Sequence, residues 1–317
     1  MKGTRFILIV LLLGFSSLYA TETLPSWYPK NYDLKEASRS VTEILRLQGA
    51  PVAFHHPDPV DSIIFSDADH TLLKTQTPIL LKNKKTGQLV KDPTTGKIIR
   101  LPNRSFLQAV GRLKEKYPEL PWDSYEIDFG EMGSIVAIDI TPPIKHIVEI
   151  LQSSDQEKTN KEFIITARSS AIIPSAFEEY FTNLGVDLDG VFAVNNPSLN
   201  ERLKLSGKGL SAAQKKAVTM AAIIQLYMPG GTLKEVSFYD DGDDNLQMAM
   251  ELLPILFPQI IFRFFDVIHM GDNKFRLKPV AVTGDKGKLM SAEGRKEWTL
   301  DDIRSYSSQD APLPDEL

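Results

Sequence analysis

Residues 61–71 read D-S-I-I-F-S-D-A-D-H-T, in which a short apolar run, Ile63 to Phe65, is followed by two aspartates one residue apart. If the run is a buried strand, its carboxyl end delivers Asp67 and Asp69 into one crevice, where one carboxylate can attack while the other moves a proton. Two close carboxylates repel each other unless a cation lies beside them. The pattern therefore also predicts a divalent metal, Mg²⁺, which prefers oxygen ligands.

Two further apolar runs end in residues of matching chemistry. Phe163 to Arg168 reads F-I-I-T-A-R, which puts Thr166 just past a second strand, where a hydroxyl and the following amides can grip phosphate oxygens. Val236 to Asn245 reads V-S-F-Y-D-D-G-D-D-N, which puts Asp240 and Asp241 past a third strand, suited to holding the metal. Open α/β folds bind ligands at the carboxyl edge of a parallel sheet, so the three strand ends predict one phosphoryl-transfer site.

These motifs resemble those of the haloacid dehalogenase (HAD) superfamily over about residues 58–270. The D-x-D-x-T, T-A-R and F-Y-D-D-x-x-x-N patterns look most like its bacterial and phage phosphatase-like branch. The resemblance implies an α/β fold with a Rossmann-like, doubly wound parallel sheet and a small insertion after the first strand. It also implies hydrolysis of a phosphate ester, because the superfamily's dehalogenases and P-type ATPases lack an acid at the position of Asp69.

The resemblance assigns roles to the motif residues. Asp67 would attack phosphorus in line and become an aspartyl phosphate, while Asp69 would protonate the leaving oxygen and then deprotonate the attacking water. Thr166 would bind the phosphoryl group. The expected metal ligands are four aspartates: Asp67, Asp69, Asp240 and Asp241. Three residues are expected to support the site: Thr71 as a brace of the loop, Arg168 as a contact of substrate or of a structural carboxylate, and Asn245 as an orienting group.

The family's phosphate-binding lysine is left open among three candidates. S-A-A-Q at Ser211 to Gln214 is a capping box, which places Lys215 and Lys216 in the first turns of a helix. Lys216 is preferred, Lys215 is second, and Lys208 could instead reach in from the G-K-G loop.

Several competing patterns are set aside. D-L-D-G at Asp187 to Gly190 mimics the first motif but has no apolar strand before it. His70 is expected to occupy only a loop position. The sequence contains no P-loop pattern, which argues against a P-loop kinase. It also contains no cysteine, which excludes a disulfide scaffold, thiolate metal sites and cysteine nucleophiles.

The chain is divided into four predicted regions. Residues 1–20 read as a secretory signal, with Lys2 and Arg5 before an apolar stretch from Phe6 to Phe15, so a periplasmic or secreted location is expected. Residues 21–57 form an N-terminal extension with an amphipathic helix at Ala37 to Gln48. Residues 58–300 form the core, with an insertion or small cap at 74–135 that contains a β-hairpin and a helix. Residues 301–317 are expected to be a polar, loosely attached tail.

Charge and composition limit the partners. Without the signal the chain carries 34 basic and 41 acidic residues, so a stable nucleic-acid complex is not expected. We predict a secreted, Mg²⁺-dependent phosphomonoesterase that acts on a small phosphorylated substrate, with no membrane contact beyond the export signal and an oligomeric state left open. Two alternatives remain: a phosphatase of nucleotides or nucleic-acid ends, and a binding protein that keeps the HAD fold without turnover. The intact acidic motifs argue against the second.

Overall fold

The computed structural model describes residues 23–49, 59–75, 78–102, 106–128, 144–154, 159–270, 275–284, 287–292, 294 and 296–306. The signal predicted for residues 1–20 lies outside these residues. The helices are α1 (Leu34–Leu47), α2 (Phe106–Lys116), α3 (Lys145–Ser154), α4 (Ile173–Asn183), α5 (Pro197–Arg202), α6 (Ala212–Tyr227), α7 (Asp243–Leu256) and α8 (Leu300–Arg304). The strands are β1 (Ser62–Ser66), β2 (Ile79–Asn83), β3 (Arg100–Leu101), β4 (Tyr125–Asp128), β5 (Asn160–Thr166), β6 (Gly190–Ala193), β7 (Glu235–Asp240), β8 (Ile261–His269), β9 (Phe275–Thr283) and β10 (Leu289–Ser291).

A mostly parallel seven-stranded sheet forms the centre of the fold, in the order β10-β9-β8-β7-β1-β5-β6. Strand β1 lies between β5 and β7 and is parallel to both, and β6 and β8 continue the parallel arrangement. The α/β class with a largely parallel sheet is therefore confirmed, and it is compatible with a Rossmann-like fold. The antiparallel extension by β9 and β10 was not predicted. Because β1 is central, its carboxyl end lies beside those of β5 and β7.

Helices cover both faces of this sheet. Ile63 and Phe65 of β1 belong to one apolar cluster, which includes residues of α1, α6 and α7. Ile64 points to the other face and packs against a second cluster, which includes Ile147 of α3 and Phe177 of α4. Burial on both faces explains why β1 reads as an unbroken apolar run instead of an alternating one.

Helix α1 closes the outer edge of the sheet at β6. The Gln48 side chain donates from Nε2 to the Val191 carbonyl at 2.7 Å and accepts from the Val191 N–H at 3.0 Å. The Gln48 amide thereby satisfies the N–H and the carbonyl of Val191, two groups with which an additional strand could otherwise pair. The helix also packs closely on the strand, since a Cβ added at Gly190 would lie 2.4 Å from Leu45 Cδ2.

The insertion after β1 has a small core of its own. Its three-stranded sheet has the order β3-β2-β4, and side chains of the sheet, the hairpin and α2 form a separate apolar cluster. The predicted hairpin turn is present, because Gly96 donates its N–H to the Asp92 carbonyl at 2.9 Å and Lys91 pairs with Ile98. Strands β2 and β4 were not predicted. A role as a cap over the site stays a prediction.

The carboxyl-terminal stretch is more ordered than predicted. The expectation of a loosely attached tail from Asp301 is wrong for residues 301–306, because α8 buries Ile303 and Tyr306 donates its hydroxyl to the buried Asp266 at 2.8 Å. Arg304 donates to Glu251 of α7 at 2.8 Å. The apolar Ile303 and the aromatic Tyr306 anchor a segment whose composition is otherwise polar. Among the described residues, no helix is both long enough and apolar enough to cross a membrane.

Candidate active site

A buried lysine joins the ends of β1 and β7. Lys216 of α6 is 1% exposed and donates from Nζ to Asp67 Oδ1 at 2.7 Å and to Asp240 Oδ2 at 2.9 Å. The capping box at Ser211 starts the helix as predicted, which sets the phase that turns Lys216 towards the sheet. The structure therefore places Lys216, the preferred lysine, in contact with Asp67, the predicted nucleophile.

The loop between β7 and α7 fixes the second carboxylate. Asp240 Oδ1 accepts hydrogen bonds from the Gly242 N–H and from Asn245 Nδ2, both at 2.8 Å. A Cβ at Gly242 would lie 2.8 Å from Asn245 Nδ2, so a side chain at this position would push the Asn245 amide away from Asp240. Asp243 and Asp244 lie in the first turn of α7, where negative charge is favourable.

Three carboxylates form a group that fits a hard divalent cation. Asp67, Asp240 and Asp241 each offer one oxygen, and these atoms all lie within 4.8 Å of one another. Asp67 and Asp240 are buried, and the single positive charge of Lys216 does not balance three negative charges. Oxygen donors with excess negative charge are the ligand set that Mg²⁺ prefers. The structure thus brings together three of the four predicted metal ligands.

Burial governs the acidity of the nucleophile candidate. Desolvation raises the pKa of Asp67 to about 7, helped by the charges of Asp240 and Asp69 and opposed by Lys216. The pKa of Lys216 is raised, because although burial favours its neutral form, Asp240 and Asp67 stabilise the ammonium more strongly. Lys216 therefore stays charged.

The second aspartate of the motif is held differently. Arg168 places its guanidinium on Asp69 in a fork, from Nε to Oδ2 at 3.0 Å and from Nη2 to Oδ1 at 2.7 Å, and Thr75 donates to Oδ1. Burial alone would raise the pKa of Asp69, yet Arg168 and the Thr75 hydroxyl hold it below its usual value. The sequence left open whether Arg168 contacts substrate or a carboxylate, and in the structure it contacts the carboxylate of Asp69. Both oxygens of Asp69 are engaged in this way, and its role as a metal ligand stays a prediction.

The remaining predicted residues lie around this group. Thr166 is fully buried at the end of β5, and its hydroxyl accepts the Arg168 N–H at 3.3 Å. Thr71 is fully buried in the loop after Asp69. His70 has a left-handed backbone, with φ 64°, and its ring lies edge-on to that of His269 at 5.2 Å, so it remains a loop residue outside the carboxylate group.

The other two lysines point elsewhere. Lys215 donates from Nζ to Asn195 Oδ1 at 3.3 Å, beyond the end of β6. Lys208 is exposed in a groove beside the start of α1. The rejected D-L-D-G pattern lies before β6, where Asp189 accepts from Lys161 and from the Glu162 N–H at the amino end of β5.

Sequence reasoning missed two residues of this region, Thr75 and Asn195. Asn195 contacts Lys215 and the backbone carbonyl of Ala167, which are both distant in sequence, whereas Thr75 contacts Asp69 within the same loop. Neither residue belongs to a motif. For Asn195 the available signal was its position directly after the apolar run Val191 to Val194, comparable to the position of Thr166 after its own apolar run.

Comparisons with known proteins identified no related protein. No protein-family model, no curated protein and no solved structure matches this chain. The interpretation of the site consequently depends on its own geometry.

Proposed function

We propose that the protein is a Mg²⁺-dependent phosphomonoesterase that works through an aspartyl phosphate, on a doubly wound fold of the HAD type. The observation that carries the proposal is the group of Asp67, Asp240 and Asp241 around the ammonium of Lys216 at adjacent strand ends. A nucleophilic carboxylate, a cation site and a fixed positive charge in one crevice are the elements that phosphoryl transfer requires.

The metal would be held by Asp67, Asp240 and Asp241, and when bound it would offset the negative charge of the carboxylates and of the phosphoryl oxygens. Lys216 keeps Asp67 oriented and places a positive charge where phosphoryl oxygens accumulate charge in the transition state. Thr166, at the end of the neighbouring strand β5, would offer its hydroxyl to a phosphoryl oxygen. Asp67 then attacks phosphorus, and the bond from phosphorus to the leaving oxygen breaks.

Asp69 serves the proton transfers of the same reaction. Its charged form would take a proton from the water that hydrolyses the aspartyl phosphate, and the proton gained in that step would then pass to the leaving oxygen of the next substrate. The fork of Arg168 on both oxygens holds this carboxylate in place and favours its charged form, which is the form that activates water.

The test is hydrolysis of p-nitrophenyl phosphate by the purified chain. We expect Mg²⁺ to support activity, EDTA to abolish it, and Asp67→Asn to reduce turnover by at least about 10³-fold while the fold is kept. Asp187→Asn is the matched control, because Asp187 begins the D-L-D-G pattern that mimics the first motif, and this variant should retain wild-type activity. A fully active Asp67→Asn enzyme would exclude this mechanism.

We also propose that the enzyme acts in the periplasm or outside the cell. The support is the charged start and apolar stretch of residues 1–20. Sequencing the amino terminus of protein from the periplasm or culture medium should find a start near Thr21, whereas an intact Met1 form in the cytosol would contradict export.

A further inference from the structure

The carboxyl edge of the sheet carries a second positive charge beyond the proposed catalytic group. Lys215 reaches the end of β6, where its ammonium contacts the side-chain carbonyl of Asn195 at 3.3 Å. The same amide donates from Nδ2 to the Ala167 carbonyl at 2.7 Å. A single side chain therefore connects the ammonium of Lys215 to the T-A-R loop, between Thr166 and Arg168.

The two adjacent lysines of α6 differ in how their charges are balanced. Lys216 is buried between two carboxylates. Lys215 is partly exposed, and within the described part of the chain its hydrogen-bond partner is a neutral amide, with no carboxylate in ion-pair range. An ammonium has three donors, so an accessible one whose protein partner is neutral is suited to bind an anion.

The order of the strands places this charge at a defined position relative to the reaction centre. Lys216 contacts the ends of β1 and β7, Thr166 ends β5, and Lys215 lies at the end of β6. Neighbouring strands are about 4.8 Å apart, so β6 lies roughly 10 Å from β1 along the carboxyl edge. That separation leaves room for a substrate that bears a second anion several bonds from the transferred phosphoryl group.

We propose that Lys215, positioned by Asn195, binds a second phosphate group of the substrate, so that the preferred substrates are bisphosphorylated small molecules. The proposal rests on the proposed phosphatase function, because it takes Asp67 as the point of attack. Lys215 is a specificity-determining residue in this scheme, and Lys216 keeps its place beside the nucleophile.

The experiment compares fructose 1,6-bisphosphate with fructose 6-phosphate, which differ in one phosphate group. In the wild type, kcat/KM should be higher for the bisphosphate, and Lys215→Gln should reduce that preference by about 10-fold, as expected for loss of a charge-assisted hydrogen bond. Lys215→Arg should preserve most of it. Lys208→Gln removes an exposed lysine of the same chain and should leave the preference unchanged.

A binding measurement separates this inference from the proposed catalytic activity. In an Asp67→Asn background with Mg²⁺ present, calorimetry should show tighter binding of the bisphosphate and a loss of this difference with Lys215→Gln. If the wild-type protein had no phosphatase activity but this difference in binding was still observed, the catalytic proposal would be refuted and the second anion site supported. Equal effects of Lys215→Gln on both sugars, in turnover and in binding, would overturn the inference.

Discussion

At the scale of single residues, Asp69 and the Arg168 guanidinium that binds it distinguish the two steps of the proposed reaction. Attack by Asp67 on an ester with a good leaving group needs no proton from Asp69, whereas attack of water on the aspartyl phosphate needs a base. Arg168 holds both oxygens of Asp69, so the carboxylate is in position before substrate binds.

We therefore expect Asp69→Asn to accumulate the phosphoenzyme. Incubation of this variant with p-nitrophenyl phosphate and Mg²⁺ should add the mass of one phosphoryl group, as measured by intact-mass spectrometry. The double variant Asp67→Asn/Asp69→Asn is the control and should gain no mass. Steady turnover at the wild-type rate by Asp69→Asn would show that another group activates the water.

The raised pKa of Asp67 should make the proposed binding of Mg²⁺ dependent on pH. Because burial raises this pKa to about 7, metal-free protein holds a proton on Asp67 below that pH, and a cation must displace it. The affinity for Mg²⁺ should rise by about tenfold per pH unit below pH 7 and become constant above it. Calorimetric titrations in buffers of different ionisation enthalpy measure both the affinity and the released proton.

Asp67→Asn provides the control for this coupling. The variant lacks the titrating carboxylate, so its weaker Mg²⁺ binding should depend much less on pH across the same range. Wild-type affinity that did not change between about pH 5 and 8 would mean that Asp67 is already ionised before the metal binds.

At the scale of secondary-structure elements, the packing of α1 on β6 depends on one missing side chain. Gly190→Ala would place a Cβ 2.4 Å from Leu45 Cδ2, so the buried Leu45 side chain must move and the contact of α1 with β6 is disturbed. We expect the free energy of unfolding to fall by about 1–3 kcal/mol, as is typical for overpacking. The measurement is urea denaturation followed by circular dichroism.

Gly111→Ala is the matched control, since Gly111 lies inside α2 with no atom within 4 Å of an added Cβ. Alanine favours the helix there, and we expect a gain of up to about 1 kcal/mol. Equal destabilisation by both substitutions would show that the contact between α1 and β6 does not determine the cost.

The strand ends of the site could be predicted because their signals are local. A buried parallel strand appears as an apolar run, and Asp67, Thr166 and Asp240 each end such a run. The choice between Lys215 and Lys216 could only be ranked, since successive helical residues point about 100° apart and tertiary packing decides which one faces the sheet. Asn195 was missed because it depends on contacts between distant segments, and Thr75 was missed because the path of the loop after Asp69 decides whether its hydroxyl faces that carboxylate.

At the scale of the whole molecule, both described ends of the chain are attached to α7. The buried Glu251 accepts from Trp27 Nε1 at 2.9 Å and from Arg304 Nε at 2.8 Å, which links the N-terminal extension and α8 to one helix. We expect Glu251→Ala to lower the free energy of unfolding by about 2–3 kcal/mol, because it leaves the Trp27 donor without its acceptor and removes a buried side chain.

Glu297 provides a contrast of the same charge type. It pairs with Lys288 at 2.9 Å on the surface, where ion pairs contribute less than about 1 kcal/mol. Urea denaturation of Glu297→Ala should therefore show a much smaller change than Glu251→Ala. Changes of similar size would mean that burial of Glu251 adds nothing to its pairing.

The central position of β1 also determines how the chain folds in time. Ser62 pairs with Asn160 on one side and with Glu235 on the other, so both partners of β1 are synthesised long after it. Contacts between distant segments form slowly, and an apolar strand without partners is prone to aggregate. The strand that carries Asp67 is thus made before both of its neighbours and stays unpaired on both sides until they have been synthesised.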